Sequence, residues 1–420
     1  MKDLNNHSIA YKRILYIKKQ MENEDLKKIL NRFTFLCRFA SSFMAVLLYA
    51  LTTQSLFAQE CKKGSIVNLQ RSHQNKKITP STQPINLGQA TEELNDKVTK
   101  IKYKSKSMGK IASIDEYITK HCINAFAVVK DGKLIYEKYY NWTRATDQLY
   151  SASMAKSLTS IMIGVLLDQG NLKLSTKVED IIPELNKSAF ADDTVEDLLR
   201  MYSSAKVRDC IQNCSLEEEN IKLNPMDSPR TNTLEYLSKK IEVRNKSFFY
   251  SAANTAILGL IIKRISGQEP EKFWAEKVWE PIGAESEGHW ITNSRQELGF
   301  QCCYTATARD WLKLGVMLAN YGEINQRRVL SAEYVQAMAS INIKDPVPPH
   351  TSEYGLHVWI PRLTPRRDLT VFEMHGLYSQ ALVIDPVTKI VIFQSGYQQV
   401  QNPTIADWPE FRYAILNALK

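Results

Sequence analysis

The chain is sparing with the residues that mark specialised architectures: its 420 residues include 16 glycines, 15 prolines, 7 cysteines and 7 histidines. So little glycine and proline excludes a collagen-like or low-complexity chain, and the cysteines are too few for a small disulfide-built scaffold. The apolar stretch FASSFMAVLLYAL, Phe39 to Leu51, falls short of the roughly 20 residues that span a bilayer. There is no H-E-x-x-H, no C-x-x-C and no phosphate-cradling glycine loop; Cys210 and Cys214 stand four apart and Cys302 and Cys303 are adjacent. The sequence therefore predicts no metal and no cofactor. Charge of one sign is also scarce. The net +9 sits largely in residues 1–58, which hold nine Lys/Arg and four Asp/Glu, leaving 45 basic and 41 acidic residues in the rest. That balance argues against a nucleic-acid partner.

What remains is an ordinary globular composition, 44% hydrophobic, 10% aromatic and 24% charged, with length for about two or three domains. The Phe39 to Leu51 stretch follows Lys27, Lys28, Arg32 and Arg38 and precedes TTQSLFAQE, the layout of a signal peptide. Ala58 is a small residue suited to cleavage, although Leu56 is a poor partner two positions earlier. The expectation is a leader over 1–58 and a periplasmic or secreted mature chain. Its alternative is a membrane anchor at 39–51, and translation from Met21 would shorten the leader. Cys61 follows Glu60 instead of a small residue, which disfavours a lipoprotein. Six cysteines remain if Cys37 leaves with the leader, a count compatible with disulfides without establishing them.

Residues 59–111 are polar and Lys-rich, with Pro80 and Pro84, and read as a tether or a wrapping segment. A compact domain follows over 112–420. Apolar runs at Ala125 to Val129 and Leu134 to Tyr140 flank Asp131-Gly132, a hairpin signal. A second pair, Ala381 to Ile384 and Ile390 to Phe393, precedes a helical segment at Trp408 to Leu419. Between these ends the patterns are mostly helical: Val195 to Met201, Thr233 to Lys239, Thr255 to Ile265, Ala308 to Ala319 and Ala332 to Met338. The fold class is α/β (α+β): an antiparallel sheet flanked by helices, built from about 112–170 and 350–420, with a mainly helical part inserted over about 171–349.

Three segments carry candidate chemistry. S-x-x-K occurs at Ser107 to Lys110, Ser153 to Lys156 and Ser203 to Lys206, and only the middle copy opens a long apolar helix, SLTSIMIGVLLDQG, which Gly170 can end. Three residues apart on a helix, Ser153 and Lys156 share a face about 5–6 Å apart at Cβ. Burial disfavours a charged ammonium and suits a lysine to act as a base, while the helix N-terminus favours a developing oxyanion. A serine N-cap followed by a surface lysine would account for the same letters. The second segment, FFYSAAN, places Tyr250 before another apolar helix, where a phenol could relay a proton or simply fill a core. In the third, MHGLYSQ, Gly376 permits close backbone approach, so the Leu377 N–H could donate to an oxyanion.

In this order, S-M-A-K, F-x-Y-S-x-x-N and H-G-x-x-x-Q before a terminal hairpin resemble the serine β-lactamase and penicillin-binding superfamily. They are most similar to the branch of 6-aminohexanoate-dimer hydrolases and family VIII esterases, related to class C β-lactamases. VVKDGKLIYEKYY, VEDLLRMYSSA and TARDWLKLGVMLANYG extend the resemblance from about Ile114 to Lys420. It implies an acylated Ser153, Lys156 and Tyr250 jointly handling protons, and an oxyanion hole from the N–H groups of Ser153 and Leu377. Asn254, His375, Gly376, Gln380 and Trp359 are candidate substrate contacts, and Trp290 and His357 could join Trp359 in lining the pocket. Met374-His375-Gly376 stands where β-lactamases carry Lys-Thr-Gly, and Ala252 stands at the Asn of Tyr-x-Asn. Both departures favour a small-molecule amide or ester over a β-lactam. Cell-wall peptide processing or weak β-lactam turnover, and a non-catalytic binding protein of the same fold, are the alternatives.

Overall fold

A computed structural model describes residues 75–205, 233–238, 245–293, 295–341, 352–361, 371–396 and 403–420. The leader, with Phe39 to Leu51 and Ala58, lies outside the described residues, as do Lys206, Cys210 and Cys214. Among the described residues, no helix is long and apolar enough to cross a membrane.

The Asp131-Gly132 turn joins strands Ile123–Lys130 and Lys133–Tyr139. Both turn residues have positive φ, 50° and 75°, as a two-residue hairpin with the right-handed strand twist requires. The late pair, Gln380–Asp385 and Ile390–Gly396, turns on Asp385. Its carboxylate accepts from Val387 N at 3.0 Å and from Thr388 N at 3.2 Å and Oγ1 at 2.7 Å. Ile390–Gly396 pairs antiparallel with Ile123–Lys130, so the two hairpins join in the middle of one sheet.

That eight-stranded sheet runs in the order Ser352–Tyr354, Trp359–Pro361, Phe372–Gly376, Gln380–Asp385, Ile390–Gly396, Ile123–Lys130, Lys133–Tyr139 and Gly88–Gln89. All its pairings are antiparallel except the last, which is parallel. Alternation divides its faces. Ala125, Ala127, Val129, Leu382, Ile384 and Phe393 join the core shared with the inserted part. Phe126, Val128, Ala381, Val383 and Ile392 pack with Tyr117, Trp408, Phe411 and Ile415, the last three on the C-terminal helix Pro403–Ala418. Covered on both faces, the strands read as continuous apolar runs.

The mainly helical insertion contributes two strands, Gly288–Ile291 and Tyr304–Ala306, to a second sheet. This four-stranded sheet is formed by Asn75–Ile78, Gly288–Ile291, Tyr304–Ala306 and Leu149–Tyr150. Its strands have four residues or fewer, too short to show a period in sequence. From Asn75 onward the polar segment wraps the body instead of hanging from it. Five of its apolar residues, Ile78, Leu87, Val98, Ile101 and Tyr103, are buried, and Ser81 N and Ile85 N donate to Ala284 O and Gly283 O at 2.9 Å.

Candidate active site

The helix Ala155–Asp168 is buried at every position from Ala155 to Leu166, as its all-round apolar sequence demands. Gly170, at φ 72°, follows its end. Its buried hydroxyls are partnered: Ser157 Oγ donates to His357 O at 2.6 Å and Ser160 Oγ to Leu356 O at 2.8 Å. The helix is entered through a 3-10 turn, Ala152–Met154. Ala152 there has φ 44°, a left-handed conformation costing a residue with a Cβ about 1 kcal/mol or more.

Distant segments hold that conformation. Ser151 N donates to Tyr304 O at 2.8 Å, and Ser151 Oγ accepts from Tyr304 N at 2.9 Å. Gly376 backs onto the turn so closely that a Cβ there would press into the carbonyl oxygen of Ser151 and lie 2.9 Å from the Ala152 Cβ. The glycine expected to admit a ligand lies against the Ser151–Ala152 turn. Leu377, next in chain, is 44% exposed, and its N–H has no backbone acceptor among the described hydrogen bonds.

Ser153 is half-buried and Lys156 is 3% exposed. Lys156 Nζ donates to Ser153 Oγ at 3.3 Å and to Gln301 O at 2.9 Å. The three-residue spacing thus brings the pair together, and the carbonyl of a residue 145 positions away aims the amine. Nζ also lies 4.8 Å from the ring centroid of Tyr250, a cation–π geometry. Tyr250 meets Lys156 through its ring face, and no described hydrogen bond joins its hydroxyl to Ser153 or Lys156. Ser251, after it, caps the helix Ala252–Ser266 by accepting from Ala253 N at 3.2 Å.

Aromatic rings wall this side. Tyr250 stacks on Trp359 at 5.4 Å, and Tyr354 stands edge-on to Tyr250 and Trp359 at 5.9 and 4.8 Å. Phe248 packs on Tyr354 at 5.4 Å. Trp359 is therefore brought to Tyr250, whereas Trp290 and His357 belong to the interior. Trp290 is fully buried among Trp274, Phe300 and Tyr304, with Nε1 donating to Gly299 O at 3.0 Å. His357 lies between Leu199 O, 2.8 Å from Nδ1, and Thr255 Oγ1, 2.9 Å from Nε2. Burial chiefly, aided by Lys156, holds its pKa down to about 3 against the opposing pull of the Leu199 carbonyl. A neutral ring donating from Nδ1 and accepting at Nε2 satisfies both contacts.

The remaining candidates, Asn254 apart, have other engagements. Asn254 is buried in the first turn of its helix, with neither amide atom partnered. Gln380 Nε2 donates to Gly396 O at 2.7 Å and Tyr378 O at 3.0 Å, fastening a turn. His375 Nε2 bonds to the buried carboxylate of Glu373, which also accepts from Trp408 Nε1 at 3.1 Å. Arg412 NH1 lies 2.5 Å from Glu373 Oε1, a charge contact without hydrogen-bond alignment. Burial would raise the Glu373 carboxyl, but Arg412 and His375 outweigh it and hold it below the usual range. Gln301 and Glu373 gave no signal in sequence, because each acts through contacts that no local pattern encodes. Among the described residues, no group of three or more His, Cys, Asp or Glu is placed to hold a metal ion.

A strained serine turn opening a buried helix, a lysine against its hydroxyl and an antiparallel sheet covered by helices define a serine hydrolase of the β-lactamase and transpeptidase fold. The chain belongs to the beta-lactamase family, whose model matches residues 122–394. It is 23% identical over 314 residues to the 6-aminohexanoate-dimer hydrolase of Paenarthrobacter ureafaciens, across 72% of this chain and 76% of that one. A Bacillus anthracis protein provisionally described as a 6-aminohexanoate-dimer hydrolase superposes with a TM-score of 0.72 at 23% identity, covering 84% of this chain and 93% of that one. A family VIII carboxylesterase superposes at 0.58 with 15% identity, covering 77% and 98%.

Proposed function

We propose that this hydrolase is exported and cleaves an amide or ester bond of a small molecule through an acyl-enzyme on Ser153. The observation that carries this reading is the Lys156 amine, buried, 3.3 Å from Ser153 Oγ and fixed from behind by Gln301 O. Lys156, as the base, takes the hydroxyl proton as Ser153 Oγ bonds to the substrate carbonyl carbon. The N–H groups of Ser153 and Leu377 receive the oxyanion. The tetrahedral species collapses, the amine or alcohol departs with the proton, and Tyr250 assists that transfer. Water then attacks the acyl carbon, giving one proton to Lys156, and the acid leaves as Ser153 regains its hydrogen. The aromatic wall favours apolar substrate portions, and the 6-aminohexanoate-dimer hydrolase and carboxylesterase relatives support linear amides and esters.

The test is hydrolysis of a short-chain p-nitrophenyl ester by wild type and Ser153→Ala at equal concentration, followed by linear amides and a penicillin. Turnover by wild type and loss to background in a folded variant is the expected result. Equal activity in both would refute the assignment of Ser153, and stable penicillin labelling without ester turnover would favour cell-wall processing. Export is tested separately by fractionating cells and reading the N-terminus of the mature chain; residues before Ala58 on a cytoplasmic protein would overturn it.

A further inference from the structure

One short segment, Phe300 to Tyr304, binds the catalytic elements at nearly every step. Phe300 O accepts from Thr159 Oγ1 at 3.3 Å and Gln301 O from Lys156 Nζ at 2.9 Å. Tyr304 exchanges hydrogen bonds with Ser151, beside the strained Ala152. Between Gln301 and Tyr304, Cys302 and Cys303 form a disulfide between adjacent residues. Cys303 is fully buried, clusters with Tyr150, Ala152 and Ile291, and places Sγ 3.3 Å from Tyr150 OH. Cys302 is only half-buried and open to attack. Gly299 makes room for the pair, since a Cβ there would lie 2.9 Å from Cys303 Cβ and 3.1 Å from its Sγ.

We propose that the Cys302–Cys303 disulfide is a redox-sensitive clasp on the catalytic pair, opened by a dithiol reductant. Closed, its small ring fixes the Cys302–Cys303 peptide, directly after the Gln301 carbonyl that meets Lys156, and so limits the movement of that carbonyl. A reductant thiolate attacks the Cys302 sulfur, the S–S bond breaks and Cys303 leaves as a thiolate. The second reductant thiol then displaces Cys302 from the mixed disulfide. Two electrons and two protons reach the cysteines, and the reductant ends as its own disulfide. The two thiols no longer share a bond, the segment relaxes, and the aim of Lys156 at Ser153 is lost. This inference rests on the roles proposed above for Ser153 and Lys156.

The test alkylates the native protein with iodoacetamide before and after dithiothreitol, maps both cysteines by peptide mass, and follows ester turnover. Neither cysteine should label before reduction, and both should label after it. The turnover number should fall about tenfold or more, as expected for loss of a hydrogen bond of this kind, with KM little changed, and reoxidation should restore it. Cys122 is also disulfide-bonded, so the Cys302→Ser, Cys303→Ser variant assigns the effect. It should sit at the reduced rate and ignore dithiothreitol, with Tm nearly unchanged, because so small a ring scarcely constrains the unfolded chain. Labelling of both thiols without reduction, wild-type turnover in the double variant, or an equal response of that variant to dithiothreitol would each overturn the clasp. If wild type hydrolyses no ester, the proposed function fails instead, and the labelling still reports on the disulfide.

Discussion

Replacing Gly376 by alanine adds one methyl group at the point where a sheet strand leans on the Ser151–Ala152 turn. Its Cβ would press into Ser151 O and stand 2.9 Å from Ala152 Cβ, so the strand and the turn must separate. Both obstacles are backbone or bonded directly to it, and neither can rotate away. Overpacking of this sort costs about 1–3 kcal/mol. A catalytic group displaced by around 1 Å loses about a hundredfold in rate, and Ser153 and Leu377 flank this contact. The expected outcome is a turnover number on the p-nitrophenyl ester down about a hundredfold with a modest drop in Tm. Gly132→Ala is the control, since that glycine has φ 75° and open space around it. It should lose about 1 kcal/mol of stability from backbone strain and keep its turnover number. A Gly376→Ala variant with wild-type turnover would refute the reasoning that this contact sets the turn.

His357→Leu removes a neutral imidazole held by Leu199 O and Thr255 Oγ1 and should cost about 2–4 kcal/mol in urea unfolding, the penalty for leaving such partners buried and unpaired. The histidine pKa is near 3 in the fold and about 6.5 unfolded, so its contribution is complete above about pH 6.5 and drains away as the pH falls toward 3. The stability gap between wild type and variant should therefore narrow on acidification; a constant gap would show that the ring is not neutral. Asp407→Asn tests the strap formed by Lys102–Ser105 and Lys110–Ser113. The Asp407 carboxylate accepts from Lys106 N at 2.7 Å and Ser107 N at 2.9 Å, and Nε2 of His121 lies 3.0 Å away. Burial would raise this carboxyl, but the bonds from Ser107, His121 and Ser105 bring it down to about 2. Its share of stability is present above about pH 3.9 and lost as the pH falls through 2. The variant should lose about 2–4 kcal/mol with turnover unchanged, and wild-type stability at pH 6 would refute the strap.

The parts of the fold legible in the sequence are those fixed by local chemistry. Asp131-Gly132 specified its hairpin because both positions need positive φ, and the helices Ala308–Ala319 and Ala332–Met338 follow their apolar period to the residue. The helix after Ser251 begins three residues before the expected Thr255, since its start is set by the Ser251 cap. Ser153 and Lys156 could be paired from their spacing once the long apolar helix after them set this copy of S-x-x-K apart from the other two. Long-range chemistry was hidden. Nothing near Gln301 announces that its carbonyl will meet Lys156, and nothing near Trp290 or His357 distinguishes an interior ring from one lining a pocket. The segment from Asn75 was obscure for another reason: a wrap needs only a few buried apolar residues, and its remaining surface stays polar.

The strain at Ala152 explains why the site depends on so many distant partners. A left-handed residue bearing a Cβ relaxes unless its surroundings forbid it; Ser151 Oγ donates locally to Ala152 O at 2.9 Å, and distant segments supply further holds. Tyr304 holds Ser151 from the insertion, Gly376 blocks the turn from the main sheet, and Gln301 pins Lys156 one turn further on. The Ser153–Lys156 geometry is thus a property of the junction between sheet and insertion, and any change that separates them should impair turnover before it unfolds the chain. The ring wall of Phe248, Tyr354 and Trp359 supports none of these clamps. Substitution of Phe248 or Trp359 should therefore leave the Ser151–Ala152 turn in place.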